Sequence, residues 1–159
     1  MKVTFLGTGT STGIPTIGVK RESCLSSDKR DNRLRSSILI EYKSKSILID
    51  CGPDFRQQML RINKTKIDAI FFTHEHADHT AGLDDIRPIS FHHGKIPIYA
   101  HQRVVDNLKN RFDYLFDKKG DYPGSPHVYP NIINEGEIFK YEDISCLLYT
   151  SPSPRDDGV

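Results

Sequence analysis

The segment Ile67-Asp68-Ala69-Ile70-Phe71-Phe72-Thr73, followed at once by His74-Glu75-His76-Ala77-Asp78-His79, constrains this chain more than any other feature. Residues 67–73 are apolar at their centre, as a strand covered on both faces must be. Three imidazoles and a carboxylate then fall within six residues at its end. His74 and His76 are two apart, so extended backbone points both to one side. Asp78 and His79 follow after a turn and can face a second position beside the first. Imidazole nitrogen and carboxylate oxygen are ligands for borderline divalent cations such as zinc, manganese or iron. Two such ions about 3.5–4 Å apart can share a hydroxide, the usual nucleophile of two-metal hydrolysis. The bland alternative is a polar, histidine-rich loop. It suits His92, His93, His101 and His127, which are scattered and are not assigned as ligands. It does not suit a strand-terminal His-X-His-X-Asp-His.

The remainder of the pattern alternates strands and helices. Residues 3–6 read as a first strand that runs into the glycine-rich loop 7–13, and residues 20–35 form a polar, charged excursion. Two short apolar runs, 37–42 and 46–50, are separated by Lys43-Ser44-Lys45 and read as a hairpin. Pro53 stands where a helix begins, with Phe55, Met59 and Ile62 on one face. After the cluster, His92-His93-Gly94 reads as a surface loop before a strand at 96–100. A helix is expected over 102–116, where Val104, Val105, Leu108, Phe112 and Leu115 recur at helical spacing. Residues 121–126 form a break, and strands resume near Val128 and Ile138. This alternation predicts an α/β sandwich with a mixed sheet.

Charge and composition exclude little beyond extremes. Lys plus Arg number 22 against 21 Asp plus Glu, for a net charge of +1. That balance gives no electrostatic case for a nucleic-acid coat or an anionic membrane surface. No apolar run approaches the roughly 18 residues of a membrane span, and residues 1–7 are too short for a secretory leader. Cys24, Cys51 and Cys146 are too irregularly spaced for a disulfide framework, which fits a reducing compartment. The expectation is a cytoplasmic protein with no membrane partner.

The segment Thr73 to His79 resembles the signature of the metallo-β-lactamase superfamily. Phe5-Leu6-Gly7-Thr8-Gly9-Thr10-Ser11, Leu48-Ile49-Asp50-Cys51-Gly52-Pro53-Asp54-Phe55-Arg56 and Gly82-Leu83-Asp84-Asp85-Ile86-Arg87-Pro88 narrow the resemblance. Together they are similar to the phosphodiesterase branch around phosphoribosyl 1,2-cyclic phosphate phosphodiesterase-like proteins, with tRNase Z more distant. The similarity runs over residues 1–145. It implies an αββα sandwich of which this chain holds roughly the N-terminal half. It also implies two divalent metal ions, zinc first with manganese or iron as alternatives. His74 and His76 would hold one ion, and Asp78 and His79 the other. Asp78 would in addition orient or deprotonate the nucleophilic water.

The resemblance makes Asp50 a carboxylate that hydrogen-bonds the ligand loop and fixes ring orientation. Capping the turn into the Pro53 helix is an equal alternative, and both can hold together. Cys51 reads as a small buried residue. The glycine-rich loop 7–13 lacks a P-loop lysine, and its expected role is a close backbone approach beside the metal loop. Arg33, Arg35 and Arg87 are read as solvated arginines rather than phosphate contacts.

Two departures from the family pattern stand out. Relatives often carry a Cys-X-Cys-X-X-Cys cluster for a structural zinc. Here Val19, Arg21 and Cys24 occupy those positions, so that accessory site is expected to be absent. The family's second half also supplies a His, a bridging Asp and a last His, none of which follows His79. The eleven residues 146–156 resemble, one for one, the in-frame translation of a transposase-based sequencing adapter. Residues 1–145 are therefore expected to be native and 146–159 a foreign tail, with the missing ligands beyond. The functional expectation is a binuclear metal phosphodiesterase for a small, linear or cyclic phosphodiester. A tRNase Z-like RNA-processing nuclease is the alternative enzyme. An inert metal-binding fragment is the alternative of another class.

Overall fold

The computed structural model describes residues 1–116 and 127–149. The break expected at 121–126, and the Ser-Pro steps of the tail from 150 onward, lie outside them. Six strands form one mixed sheet in the spatial order β1 to β6. The first three are an antiparallel meander: β1 (Lys2–Gly7), β2 (Ser37–Tyr42) and β3 (Lys45–Ile49). Tyr42 pairs with Lys45, so the hairpin loop is Lys43-Ser44 alone, one residue shorter than expected. Lys43 is left-handed (φ 52°), the conformation that two-residue hairpin loops select. The polar excursion between β1 and β2 holds one short helix, α1 (Glu22–Leu25), and a 3-10 turn at Lys29–Asp31.

From β3 onward the sheet is parallel, which requires a crossover for every new strand. Helix α2 (Phe55–Arg61) leads to β4 (Ala69–Phe71), and α3 (Ala77–Thr80) with α4 (Arg87–His93) leads to β5 (Ile96–Ala100). Helix α5 (Gln102–Arg111) then precedes β6 (Val128–Ile132). A separate antiparallel hairpin follows, β7 (Ile138–Tyr141) and β8 (Ile144–Leu147). Cys146 and Leu147, assigned to the foreign tail, pair there with Phe139 and Ile138.

Several boundaries differ from expectation for local reasons. Strand β4 covers three residues of the apolar run; Asp68 N–H and Phe72 N–H still bond to Ser46 O and Tyr99 O on either side of it, and the Thr73 N–H turns to the Asp50 side chain. Helix α5 stops at Arg111, and Asp113–Leu115 continues as a 3-10 turn. The expected surface loop at 92–94 is the end of α4, terminated by Gly94 at φ 87°, a conformation glycine adopts without steric cost.

Strand alternation sorts the apolar side chains into two layers. Leu39, Leu48, Ile70 and Ile98 face the helices and pack with Phe55, Met59, Val104 and Leu108. Ile47, Ala69, Phe71 and Tyr99 face the other way, where β7 and β8 cover them with Phe139, Tyr141 and Ile144. Phe71 stacks on Tyr99 at 4.6 Å, and Tyr141 meets it edge-on at 5.9 Å. Strand β4 is thus packed on both faces, as its apolar run requires. Cys24, Cys51 and Cys146 are all free thiols, and Cys51 is fully buried. Among the described residues no helix is long and apolar enough to cross a membrane.

His127 joins α4 to the start of β6. Its Nδ1 is hydrogen-bonded to Ser90 Oγ, and its ring lies edge-on to Phe91 at 4.8 Å. Burial, aided by the nearby Arg87 charge, holds its pKa below the ordinary histidine value.

Two outcomes follow from this packing. Ile70→Ala should cost about 2–5 kcal/mol in urea denaturation, whereas Leu60→Ala, at 63% exposure, should stay within about 0.5 kcal/mol. Because His127 is lowered on folding, its contribution is present above the unfolded value near 6.5 and is lost as pH falls through the folded value. Urea midpoints compared at neutral and mildly acidic pH should therefore drop less in His127→Gln than in the parent chain.

Candidate metal centre

Strands β3 and β4 are parallel neighbours, so their C-terminal ends lie side by side. Asp50 follows the first and Thr73 to His79 follow the second. Asp50 is left-handed (φ 60°), a conformation that costs Asp less than most residues. Its N–H donates to Phe71 O at 2.9 Å, and Ser37 Oγ donates to its carbonyl at 2.9 Å. The backbone is thereby tied to both neighbouring strands, and the carboxylate is turned toward the histidine loop.

That carboxylate is 5% exposed and fully engaged. Oδ1 accepts from Thr73 N at 2.9 Å, while Oδ2 accepts from Thr73 Oγ1 at 2.8 Å and from His79 Nδ1 at 2.7 Å. A buried carboxylate is tolerable only when hydrogen-bonded in this way. None of these partners belongs to the turn into α2. The N-cap position of α2 belongs to Asp54, whose carboxylate takes the N–H and guanidinium of Arg35.

The same bonds fix which ring nitrogens remain available. Thr73 Oγ1 has one proton and donates it to Asp50, so toward His74 Nδ1, 3.0 Å away, it accepts. His74 therefore carries its proton on Nδ1 and leaves Nε2 as a bare lone pair. His79 likewise commits Nδ1–H to Asp50, and its Nε2 lies 3.2 Å from Asp78 Oδ2. His76 is extended (φ −60°, ψ 150°) and caps α3, which places Asp78 and His79 in the first turn of that helix. The His74 ring lies 4.7 Å from that of His76 and 4.1 Å from that of His79. The three imidazoles are thus gathered on one side of the loop. Among the described residues, however, no three His, Cys, Asp or Glu side chains close on one point as a complete ion site.

Electrostatics separates the histidines. The hydrogen bond to Asp50 raises the His79 pKa against the opposing effect of burial. Burial and then the neighbouring His79 lower that of His74.

Close backbone packing holds the loop, and sequence reasoning assigned it to the wrong glycines. A Cβ on Gly7 would sit 2.0 Å from Arg35 O, and one on Gly9 2.6 Å from Arg33 O. The loop 7–13 therefore packs on residues 33–35. The glycines beside the cluster are Gly52 and Gly82. A Cβ on Gly52 would sit 2.1 Å from Asp78 O, and one on Gly82 1.9 Å from Gly52 O. Their positions immediately after Asp50-Cys51 and three residues past His79 are the signal that could have found them. Cys51 N donates to His79 O, and Gly82 N to Cys51 O, across this contact.

The arginines are engaged within the protein. Arg33 reaches Thr8 Oγ1, Arg35 binds Asp54 and Ser11 O, and Arg87 binds Asp84. His101 caps α5 by accepting from Arg103 N, whereas His92 and His93 are exposed.

These features define a protein class. Residues 45–158 match the beta-lactamase superfamily domain, and the chain belongs to that family, with the metallo-β-lactamase fold. One solved structure, described as a new diphosphatase from the PhnP family, superposes with a TM-score of 0.80 at 41% identity, over 90% of this chain and 54% of that one. A protein of Porphyromonas gingivalis named octanoyltransferase is 47% identical over 127 residues, 79% of this chain but 25% of that protein. Ribonuclease Z of Methanococcus maripaludis is 29% identical over 153 residues, 89% of this chain and 44% of the enzyme. The chain therefore spans about half the length of the solved relative and less than half of these two curated ones.

Asp50→Asn tests the electrostatics directly. In metal-free protein it should lower the His79 pKa toward its ordinary value near 6.5, read from the ring proton shifts by NMR. The raised value means that the parent gains stability which is whole below the unfolded pKa and fades as pH rises through the folded one. The variant should lack that component.

Proposed function

We propose that this chain is the N-terminal part of a metal-dependent phosphodiesterase. In this reading His74 and His76 hold one divalent ion, Asp78 and His79 hold a second, and Asp50 orients the ligand loop. The carrying observation is the set of bonds that occupies Nδ1 of both His74 and His79 and brings His79 Nε2 beside the Asp78 carboxylate. Metal-binding histidines are oriented in this manner, with a carboxylate or hydroxyl on the other ring nitrogen. The donor set of imidazoles and one carboxylate suits zinc first, with manganese or iron as alternatives. Further donors, a His, a bridging Asp and a last His, belong to chain beyond residue 145 in this proposal.

Bound ions would polarise a phosphoryl oxygen and lower the pKa of water. The chain's own residues do the positioning. Asp50 and Thr73 lock the rings of His79 and His74, and Asp78 supplies a carboxylate beside His79 Nε2 to orient the attacking water or accept its proton. The 41% identity over 90% of this chain with a protein described as a diphosphatase supports phosphoryl chemistry on a small substrate ahead of RNA.

The test is His76→Ala in protein that includes the remainder of the domain. Bound metal measured by elemental analysis should fall, and turnover of a chromogenic phosphodiester should drop at least about a hundredfold, beyond the usual effect of losing an outer hydrogen-bond partner. Unchanged metal content and activity would reject the assignment. Residues 1–159 alone should bind zinc weakly and turn over nothing, because each ion has two protein ligands where a catalytic zinc usually has three.

A further inference from the structure

In the stretch His74-Glu75-His76 the middle residue points away from its neighbours. Extended backbone alternates sides, so with both imidazoles on one side Glu75 is directed to the other, against α5. There α5 meets it twice. Arg103 Nε lies 3.2 Å from Glu75 Oε1, and Arg111 Nη1 lies 3.2 Å from the Glu75 carbonyl oxygen. The first contact is weak, because the Arg103 side chain is 72% exposed and exposed ion pairs contribute little.

The second contact belongs to a larger arrangement. Arg111 Nη1 also donates to Thr80 Oγ1 at 2.8 Å. Thr80 is fully buried, and its hydroxyl lies 2.9 Å from His76 O and 3.3 Å from Glu75 O. A hydroxyl has one proton and accepts through its lone pairs. The Thr80 proton goes to the nearer His76 carbonyl, and its lone pair receives the guanidinium N–H. The result is one polarised chain, from the Arg111 cation through the Thr80 hydroxyl to the His76 carbonyl, with a branch to the Glu75 carbonyl. Charge-assisted donors at its head strengthen it. The guanidinium is itself held over the Phe112 ring, 5.2 Å from its centroid.

We infer that Arg111, acting through Thr80, is a positioning residue that fixes the backbone at His76 from behind, on the side away from the bonds by which Asp50 and Thr73 fix the rings of His79 and His74. Asp50 and Thr73 set ring rotation for His79 and His74. Nothing in those bonds sets the peptide planes that carry the Glu75 and His76 carbonyls, which flank His76 and set its Cα–Cβ direction. The Arg111–Thr80 pair does so, together with the His79 N–H that donates to the His76 carbonyl at 3.0 Å. Helix α5 thereby contributes to the metal loop although it carries no ligand. This inference rests on the ligand assignment proposed above only for its metal readout.

The experiment uses residues 1–159 and two measurements. Backbone amide exchange at 75–80 is followed in metal-free protein, and zinc affinity is read by competition with a chromophoric chelator. Arg111→Ala should speed exchange across 75–80 and weaken zinc about tenfold, in the range seen when an outer partner of a ligand is lost. Thr80→Val should do the same, Thr80→Ser should restore both readouts, and Arg103→Ala should leave both near the parent. Parent-like exchange and parent-like zinc affinity in Arg111→Ala would overturn the inference. If Arg111→Ala does not fold, Arg111→Lys, which keeps a donor but not the fork, takes its place with intermediate values expected. If His76→Ala binds zinc as well as the parent does, the ligand assignment fails, and the exchange measurement decides the clamp alone.

Discussion

The Asp50 carboxylate is the interaction on which this end of the molecule depends. It sits at the C-terminal end of β3, buried, and takes three hydrogen bonds from the loop that leaves β4. Removing any of the three donors would leave part of a buried charge unsatisfied, which costs more than the bond itself contributes. The carboxylate therefore specifies where Thr73 and His79 must be. The parallel pairing of β3 and β4 makes this possible, because it brings both strand ends to one edge of the sheet. The apolar layers on either face of β4 make the pairing rigid.

Much of this was legible in sequence because it depends on neighbours along the chain. Alternation within residues 37–50 and the unbroken apolar run at 69–72 encode strands through the side-chain period of two. The cluster at 74–79 announces itself by spacing alone. Asp50 was recognisable as a strand-end carboxylate, yet its partners were not, since they lie up to 29 residues away.

What stayed hidden depends on contacts between distant segments. Gly52 and Gly82 look like ordinary turn glycines until the approach of the Asp78 and Gly52 carbonyls is seen. Gly7 and Gly9 looked better placed because they form a denser run, but their close contacts are with residues 33–35. Arg111 is a basic residue in the last turn of α5, with nothing in its spacing to mark it. Its bond to Thr80 spans 31 residues, and that to Glu75 spans 36. Periodicity reports which face of a helix is wet, and says nothing of where a long side chain ends.

The placement of Asp50 and His79, 29 residues apart, has a consequence for the entropy of assembling the cluster. The carboxylate, the threonine it binds and all the clustered histidines belong to one strand–helix–strand unit, β3–α2–β4 with its following loop. Closing about 30 residues costs little more loop entropy than closing 15. The unit needs neither β1 nor β6 to bring its donors together. Any ion held by the residues of this unit would therefore stabilise it by binding the folded form alone.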